Sequence, residues 1–193
     1  MLNNIPNMRL LELSLLLDEE TRNHCRRVRK IAVQIGKLMG LPHVELIRLG
    51  LAAQFHDLGK IAIDPHILNH RGRLSNYQWQ QIIKHPEIGA DLWHSFSNDH
   101  AVARAILCHH ERYDGGGYPS GLTGTQIPLW SRIIAVADAL DAMVSHRPYR
   151  KALDFHAASL SLLQASGSQF DPIIIHKIFM PRQRIKPLAA LRA

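Results

Sequence analysis

Residues 19–39 read EETRNHCRRVRKIAVQIGKLM. Inward positions recur at intervals of three and four, so that His24, Val28, Ile31 and Ile35 form one stripe, the spacing of an amphipathic helix. Gly40 and Pro42 follow as its stop. His24 therefore points at the core. The same period continues on both sides of this stretch, and nowhere does the chain sustain the period-two alternation of a half-buried strand. The fold class is all-α.

Upstream lies a Leu-rich segment, Leu10 to Leu17. Downstream, a helix is expected from His43 to Leu58 with Ile47, Leu51 and Phe55 on one face, ending at Gly59 with His56 and Asp57 in its last turn. Ser75 to Gln78 fits a capping box and opens a helix with Trp79, Ile82 and Ile83 inward. Pro86 removes a backbone donor, which predicts a kink at His85. Asp99 caps a helix that places Val102, Ile106 and His110 on one face, with His109 beside them. Glu111 to Pro128 holds five glycines and two prolines and reads as a long structured loop. Helices resume over Leu129 to His146, over Asp154 to Ser166 with Gly167 as the stop, and from Asp171 with Pro172 at the first position. The expected organisation is a helical segment over 1–18, one compact multi-helix domain over 19–180 and a basic tail over 181–193.

The 193 residues, 46% apolar and 20% charged, suit one globular domain and exclude a disordered tail protein. Two cysteines, Cys25 and Cys108, are too few for a secreted disulfide framework. With no leader-like N-terminus and no apolar run long enough to cross a bilayer, a cytoplasmic protein without membrane insertion is expected. The net charge of +7 would draw anions toward the surface. The tail residues Arg182, Arg184, Lys186 and Arg192 raise duplex nucleic acid as a partner, but no recognition helix or stacking motif accompanies them.

Thirteen histidines are harder to set aside. The inward-facing polar groups at helix ends and breaks are Glu20, His24, His56, Asp57, His85, His109, His110 and Asp138, all imidazoles or carboxylates. Each alone has a plainer reading. His24 could be an ordinary hydrogen-bonded core residue, Glu20 a helix N-terminal acid, Asp138 a buried cap, and the His109-His110 pair a helix end favoured by the macrodipole. Burying all eight without partners would be costly, and divalent cations resolve that cost. A nitrogen and oxygen donor set with no thiolate suits iron, manganese, zinc or cobalt. His56-Asp57 followed by Gly59-Lys60 sets two ligands, a turn and a cation within five residues, as a site for metal and anionic phosphate requires.

The His56-Asp57 doublet, with His24 upstream and Asp138 downstream, resembles the HD superfamily of metal-dependent phosphohydrolases. The string HHERYDGGGYP over 109–119 resembles its HD-GYP subgroup. The similarity runs from Glu19 to Phe179 and includes HDLGKI, HPEIGA, GYPSGLTG, the Asp138 to Asp141 segment, RPYR and QFDP. It implies an HD-type fold and a phosphodiesterase that opens cyclic di-GMP to pGpG and on to GMP. It also implies one metal held by His24, His56, Asp57 and Asp138, with Asp57 bridging to a second held by His85, His109 and His110. Glu20, one turn before His24, adds room for a third. Iron or manganese is favoured over zinc, cobalt or nickel.

On that basis a metal-bridging hydroxide is expected to attack phosphorus, with Lys60 at the scissile phosphate or the leaving oxygen. Arg147 and Arg150 suit phosphate oxygens or the Hoogsteen edge of guanine, and Tyr118 is expected beside the pocket as a further substrate contact that stacks, donates a hydrogen bond or orders a water. The glycine-rich loop is an alternative docking surface for a diguanylate cyclase domain, and Leu10 to Leu17 a signalling-helix stub or homodimer contact. Asp114 and Asp141 are expected to brace the loop and helix rather than bind metal. Rival readings are a cyclic GMP-AMP hydrolase and a non-catalytic adaptor that binds nucleotide or a partner with the same fold.

Overall fold

A short helix, α1 (Leu10–Ser14), leads into a turn that buries Leu13 and Leu17. Asp18 then caps α2 (Glu19–Leu38) by accepting the Thr21 amide at 2.8 Å. This computed structural model describes residues 10–145 and 152–179. Gly40, at φ 79°, turns the chain out of α2, and the Leu41 amide closes the end on the Gly36 carbonyl. The helix α3 (His43–Phe55) packs back along α2.

Backbone proximity governs that pairing. A Cβ on Gly36 would lie 2.8 Å from side-chain atoms of Leu46 and Leu49, and one on Gly50 would lie 3.3 Å from Val33. The buried face of α3 is consequently Leu49, Gly50, Ala52, Ala53 and Phe55. Ile47, expected inward, is 52% exposed. The small residues win the interface because α2 approaches too closely for a branched side chain there.

The helix α3 also ends three residues before the expected Leu58. The chain tightens into a 3-10 turn over Leu58–Ala62, leaving His56 and Asp57 at the junction. Next come α4 (Pro65–Leu68) and α5 (Asn76–Ile82), the latter opened by the expected capping box between Ser75 and Gln78. The kink predicted at His85 is a full break: α5 stops at Ile82, and α6 (His85–Phe96) starts afresh with Pro86 in its first turn, where the missing amide costs nothing. Trp79 is not inward as expected but 45% exposed, because α5 is too short to reach the core and its ring packs on the glycine-rich loop instead.

Asp99 caps α7 (His100–Leu107) through the amides of Ala101 and Val102. The long loop follows, broken only by a 3-10 turn over Gly124–Gln126. The chain then forms α8 (Leu129–Val144), α9 (Phe155–Gln164) capped by Asp154, and α10 (Pro172–Phe179). Among the described residues there is no strand, only an isolated bridge between Ser166 and Phe170. The core gathers α2, α3, α7, α8 and α10 around fully buried Leu49, Ile106, Ile133, Ile134 and Ile174. Each of these contributes about 1.5–3 kcal/mol by leaving water. No helix of the described residues is long and apolar enough to cross a membrane, and Cys25 and Cys108 are free and buried.

Candidate metal centre

Five imidazoles from four parts of the chain meet at one end of this core. His24 comes from α2, His56 from the end of α3, His85 from the first residue of α6, and His109 and His110 from the two positions after the α7 cap residue Cys108. Their ring geometry follows a common device. His56, His85 and His109 each place Nδ1 on the backbone carbonyl three residues back: Ala53 at 2.8 Å, Ile82 at 2.8 Å and Ile106 at 2.6 Å. An Nδ1 that donates there leaves Nε2 as a lone pair directed inward, the tautomer being assigned from the carbonyl partner. His24 is oriented differently, with Nδ1 2.7 Å from Asp141 Oδ2. Arg27 holds Asp141 in turn, its Nε donating at 2.6 Å. Asp141 thus braces the His24 ring, whereas its expected role was to brace the helix.

Asp57 sits among these nitrogens. Its Oδ2 lies 3.5 Å from His56 Nε2 and 3.8 Å from His24 Nε2, while Oδ1 lies 3.3 Å from His85 Nε2. Asp138, from α8, reaches His24 Nε2 at 3.1 Å. The donor atoms form two tight groups, His24–His56–Asp138 and Asp57–His85–His109–His110, each with its atoms within 4.8 Å of one another. The second group holds the four residues expected around one ion; the first holds three of the four expected around the other, Asp57 being grouped with the second. Cys25 also lies within that distance of His56 and Asp57. Burial pushes its thiol well up, so it stays protonated.

Burial holds His56 below its ordinary value and His109 well below it, so both rings are neutral at pH 7. Burial and then the nearby His85 push His110 down to about 4. Burial works against the Asp57 carboxylate, but Lys60, His56 and His85 together hold it well below its usual range. Asp138, with 23% of its side chain facing the cavity, is likewise brought down to about 2: burial opposes, and the hydrogen bond to His24 prevails.

The residues fit a metal. His56 Nε2 and Asp57 Oδ1 are buried and have no hydrogen-bond partner among the described residues, a cost of about 1–3 kcal/mol each if nothing binds them. His85 Nε2 and His109 Nε2 face each other at 3.2 Å, an arrangement that a cation between neutral rings relieves. The donor set is nitrogen and carboxylate oxygen, suited to first-row divalent ions.

A cavity of about 770 Å³ opens onto this cluster, lined by His24, Asp57, His110 and Asp138 with Lys60, His70 and Arg71 as its cationic or titratable wall. Lys60 Nζ donates to Asp57 Oδ2 at 2.7 Å. Glu20 lines the same cavity one turn before His24, exposed, with its carboxylate outside the two tight groups. Tyr118 does not line it; its ring lies behind His110. Arg147 and Arg150 lie outside the described residues, as does the basic tail.

Two contributors escaped sequence reasoning. Glu111 is buried at 3% exposure, and its carboxylate accepts the amides of Ser120 at 2.7 Å and Leu122 at 3.1 Å, closing the glycine-rich loop. Its signal was a carboxylate set directly between the histidine pair and the glycines. The backbone carbonyls that orient the rings carry no residue-type signal at all.

Comparison with known proteins agrees with this geometry. The sequence profile of the HD domain family matches residues 8–174. The chain is 36% identical over 173 residues to the cyclic di-GMP phosphodiesterase response regulator RpfG of Xanthomonas campestris, covering 89% of this chain and 46% of that protein. It is 37% identical to a cyclic di-GMP phosphodiesterase of Thermotoga maritima, covering 82% and 44%. The chain spans about half the length of these curated relatives. In fold it is similar to the crystal structure of a cyclic GMP-AMP specific phosphodiesterase of Vibrio cholerae, with a TM-score of 0.73 at 24% identity, covering 94% of this chain and 49% of that one. The profile match, which takes in every candidate ligand, settles the family: this chain belongs to the HD domain family.

Proposed function

We propose that this chain is a metal-dependent phosphodiesterase that hydrolyses cyclic di-GMP to pGpG and on to GMP. The observation that carries the proposal is the division of Asp57, one oxygen toward His24 and His56 and the other toward His85, at the floor of a cavity sized for a small ligand. The names of the relatives supply the substrate class.

Two divalent ions, iron or manganese ahead of zinc, cobalt or nickel, would be held by His24, His56, Asp57 and Asp138 on one side and Asp57, His85, His109 and His110 on the other. Bound there, they would supply Lewis acidity, activating water at neutral pH and offsetting charge on phosphoryl oxygens. Glu20 stands on the rim as a ligand for a third. Lys60 lies beside Asp57, Nζ to Oδ2 at 2.7 Å; its ammonium meets a phosphate oxygen entering the cavity. Asp141 and Arg27 fix the His24 ring, so the first group needs no rearrangement before binding. Arg147 and Arg150 belong to the proposal as phosphate or guanine contacts. A cytoplasmic setting, where cyclic di-GMP and free thiols coexist, completes it.

A second substrate has a specific observation in its favour. Two relatives named 3'3'-cGAMP-specific phosphodiesterases in Vibrio cholerae are 32% and 34% identical to this chain. The test is to load the protein anaerobically with Mn²⁺ or Fe²⁺, offer the two cyclic dinucleotides in competition and identify the products by chromatography. Cyclic di-GMP should be consumed first, yielding pGpG. Preferential loss of cyclic GMP-AMP would favour the second reading, and turnover surviving His56→Ala with Asp57→Ala would overturn both.

A further inference from the structure

Four of the five clustered imidazoles have a hydrogen bond on the ring nitrogen that points away from the centre: His24 to Asp141, His56 to Ala53, His85 to Ile82 and His109 to Ile106. His110 is the exception. Among the described residues neither of its ring nitrogens has a hydrogen-bond partner, and its ring is held by aromatic neighbours alone. His109 and His85 are themselves members of the cluster. The remaining neighbour is Tyr118, whose ring lies 4.9 Å from that of His110 at an interplanar angle of 32°.

The glycine-rich loop is built to make that contact. The Tyr118 amide donates to the His110 carbonyl at 3.3 Å, so backbone and ring both clamp one residue to the other. Gly117 permits the doubling back: a Cβ there would lie 2.3 Å from the Arg112 nitrogen and 2.6 Å from the His110 carbonyl oxygen. Behind Tyr118 stands Trp79, edge-on at 5.9 Å and 81°. Its ring is the outermost of a ladder running from the surface to His110. The Tyr118 hydroxyl has no hydrogen-bond partner among the described residues, and the ring is absent from the cavity wall.

We infer that Tyr118, backed by Trp79, is the positioning residue for His110, its tilted ring contact doing what a hydrogen bond does for the other four imidazoles. The inference rests on the metal-centre reading and assigns Tyr118 and Trp79 a role in cation affinity rather than in substrate contact. Because the ring and not the hydroxyl carries the role, phenylalanine suffices at 118.

The test is titration of the metal-free full chain with Co²⁺, following cobalt absorption and bound equivalents. The wild type should bind at least two equivalents. Tyr118→Ala should weaken one of them by about 10-fold to 100-fold, the range for losing a ligand's orienting partner, and leave the other unchanged. Tyr118→Phe should stay within about twofold of wild type for both, and Trp79→Ala, at a partly exposed position that will not cost the fold, should weaken the same equivalent by about two- to tenfold. Three results would overturn the inference: wild-type affinities in Tyr118→Ala and Trp79→Ala, a phenylalanine variant as weak as the alanine one, or equal weakening of both equivalents. A wild type that binds no cobalt would instead overturn the metal-centre reading beneath it.

Discussion

Gly59 lies against the first residue of α6, so closely that a Cβ at position 59 would stand 2.0 Å from the His85 carbonyl oxygen and 2.7 Å from the Gly89 nitrogen. No side chain fits there. The contact docks α6 on the turn that follows Asp57, and it brings the His85 ring to 3.3 Å from that carboxylate. A helix start and a tight turn therefore set the distance between two proposed ligands.

Substituting Gly59→Ala must push this backbone contact apart. The expected cost is about 3 kcal/mol, at the upper end for overpacking because the obstructing atoms are main chain. Urea unfolding of the metal-free protein checks it, and cation binding by the His85 group should weaken in parallel. An unchanged unfolding midpoint would mean that α6 sits further from the turn.

Glu111 offers a second test of how the loop is held. Glu111→Ala leaves the Ser120 and Leu122 amides without their acceptor, at a cost of about 1–3 kcal/mol. Hydrogen exchange should accelerate at those two amides while α8 keeps its protection. Glu111→Gln should fall between, since an amide oxygen can still accept.

The acid–base behaviour of His24 has a defined sign. Burial pulls its imidazole down, but hydrogen bonds to Asp138 and Asp141 outweigh burial and raise the value from 6.5 to about 9 in the metal-free protein. Its contribution to stability is therefore complete below about pH 6.5 and is lost as the pH climbs through about 9. Cation affinity runs the other way, because a ligating nitrogen must first shed that proton. Apparent affinity should rise about tenfold per pH unit from 7 toward 9 and then level off. Competition against a colorimetric chelator measures this, and a flat profile over that range would contradict it.

Lys60 separates catalysis from metal holding. Lys60→Ala removes a cation from the cavity wall but no ligand, so bound metal should be retained while kcat falls by about 10²–10³, the usual effect of losing one charge-stabilising donor. Elemental analysis beside product formation checks both halves. Loss of metal together with activity would assign Lys60 to holding Asp57 rather than to the substrate.

Much of this was legible in residue order because helix punctuation is chemically local. Ser75 and Asp99 cap helices through their own side chains, and Gly40 and Pro172 stop or start them. The clustering of the candidate ligands was legible because imidazoles and carboxylates at helix ends are expensive to bury alone. Ile47 and Trp79 were misread for reasons outside the sequence window. The inner face of α3 is chosen by the approach of α2 at Gly36 and Gly50, and the length of α5 is cut by the break before Pro86. The ring contact of Tyr118 on His110 depends on a loop doubling back over seven residues, which no periodicity encodes.

The two-sided role of Asp57 is tested most directly by anomalous diffraction from crystals soaked in Mn²⁺. Two peaks are expected on opposite sides of this carboxylate, one among His24, His56 and Asp138 and the other among His85, His109 and His110. A single peak remote from Asp57, or none at an Mn²⁺ concentration that supports turnover, would contradict the account.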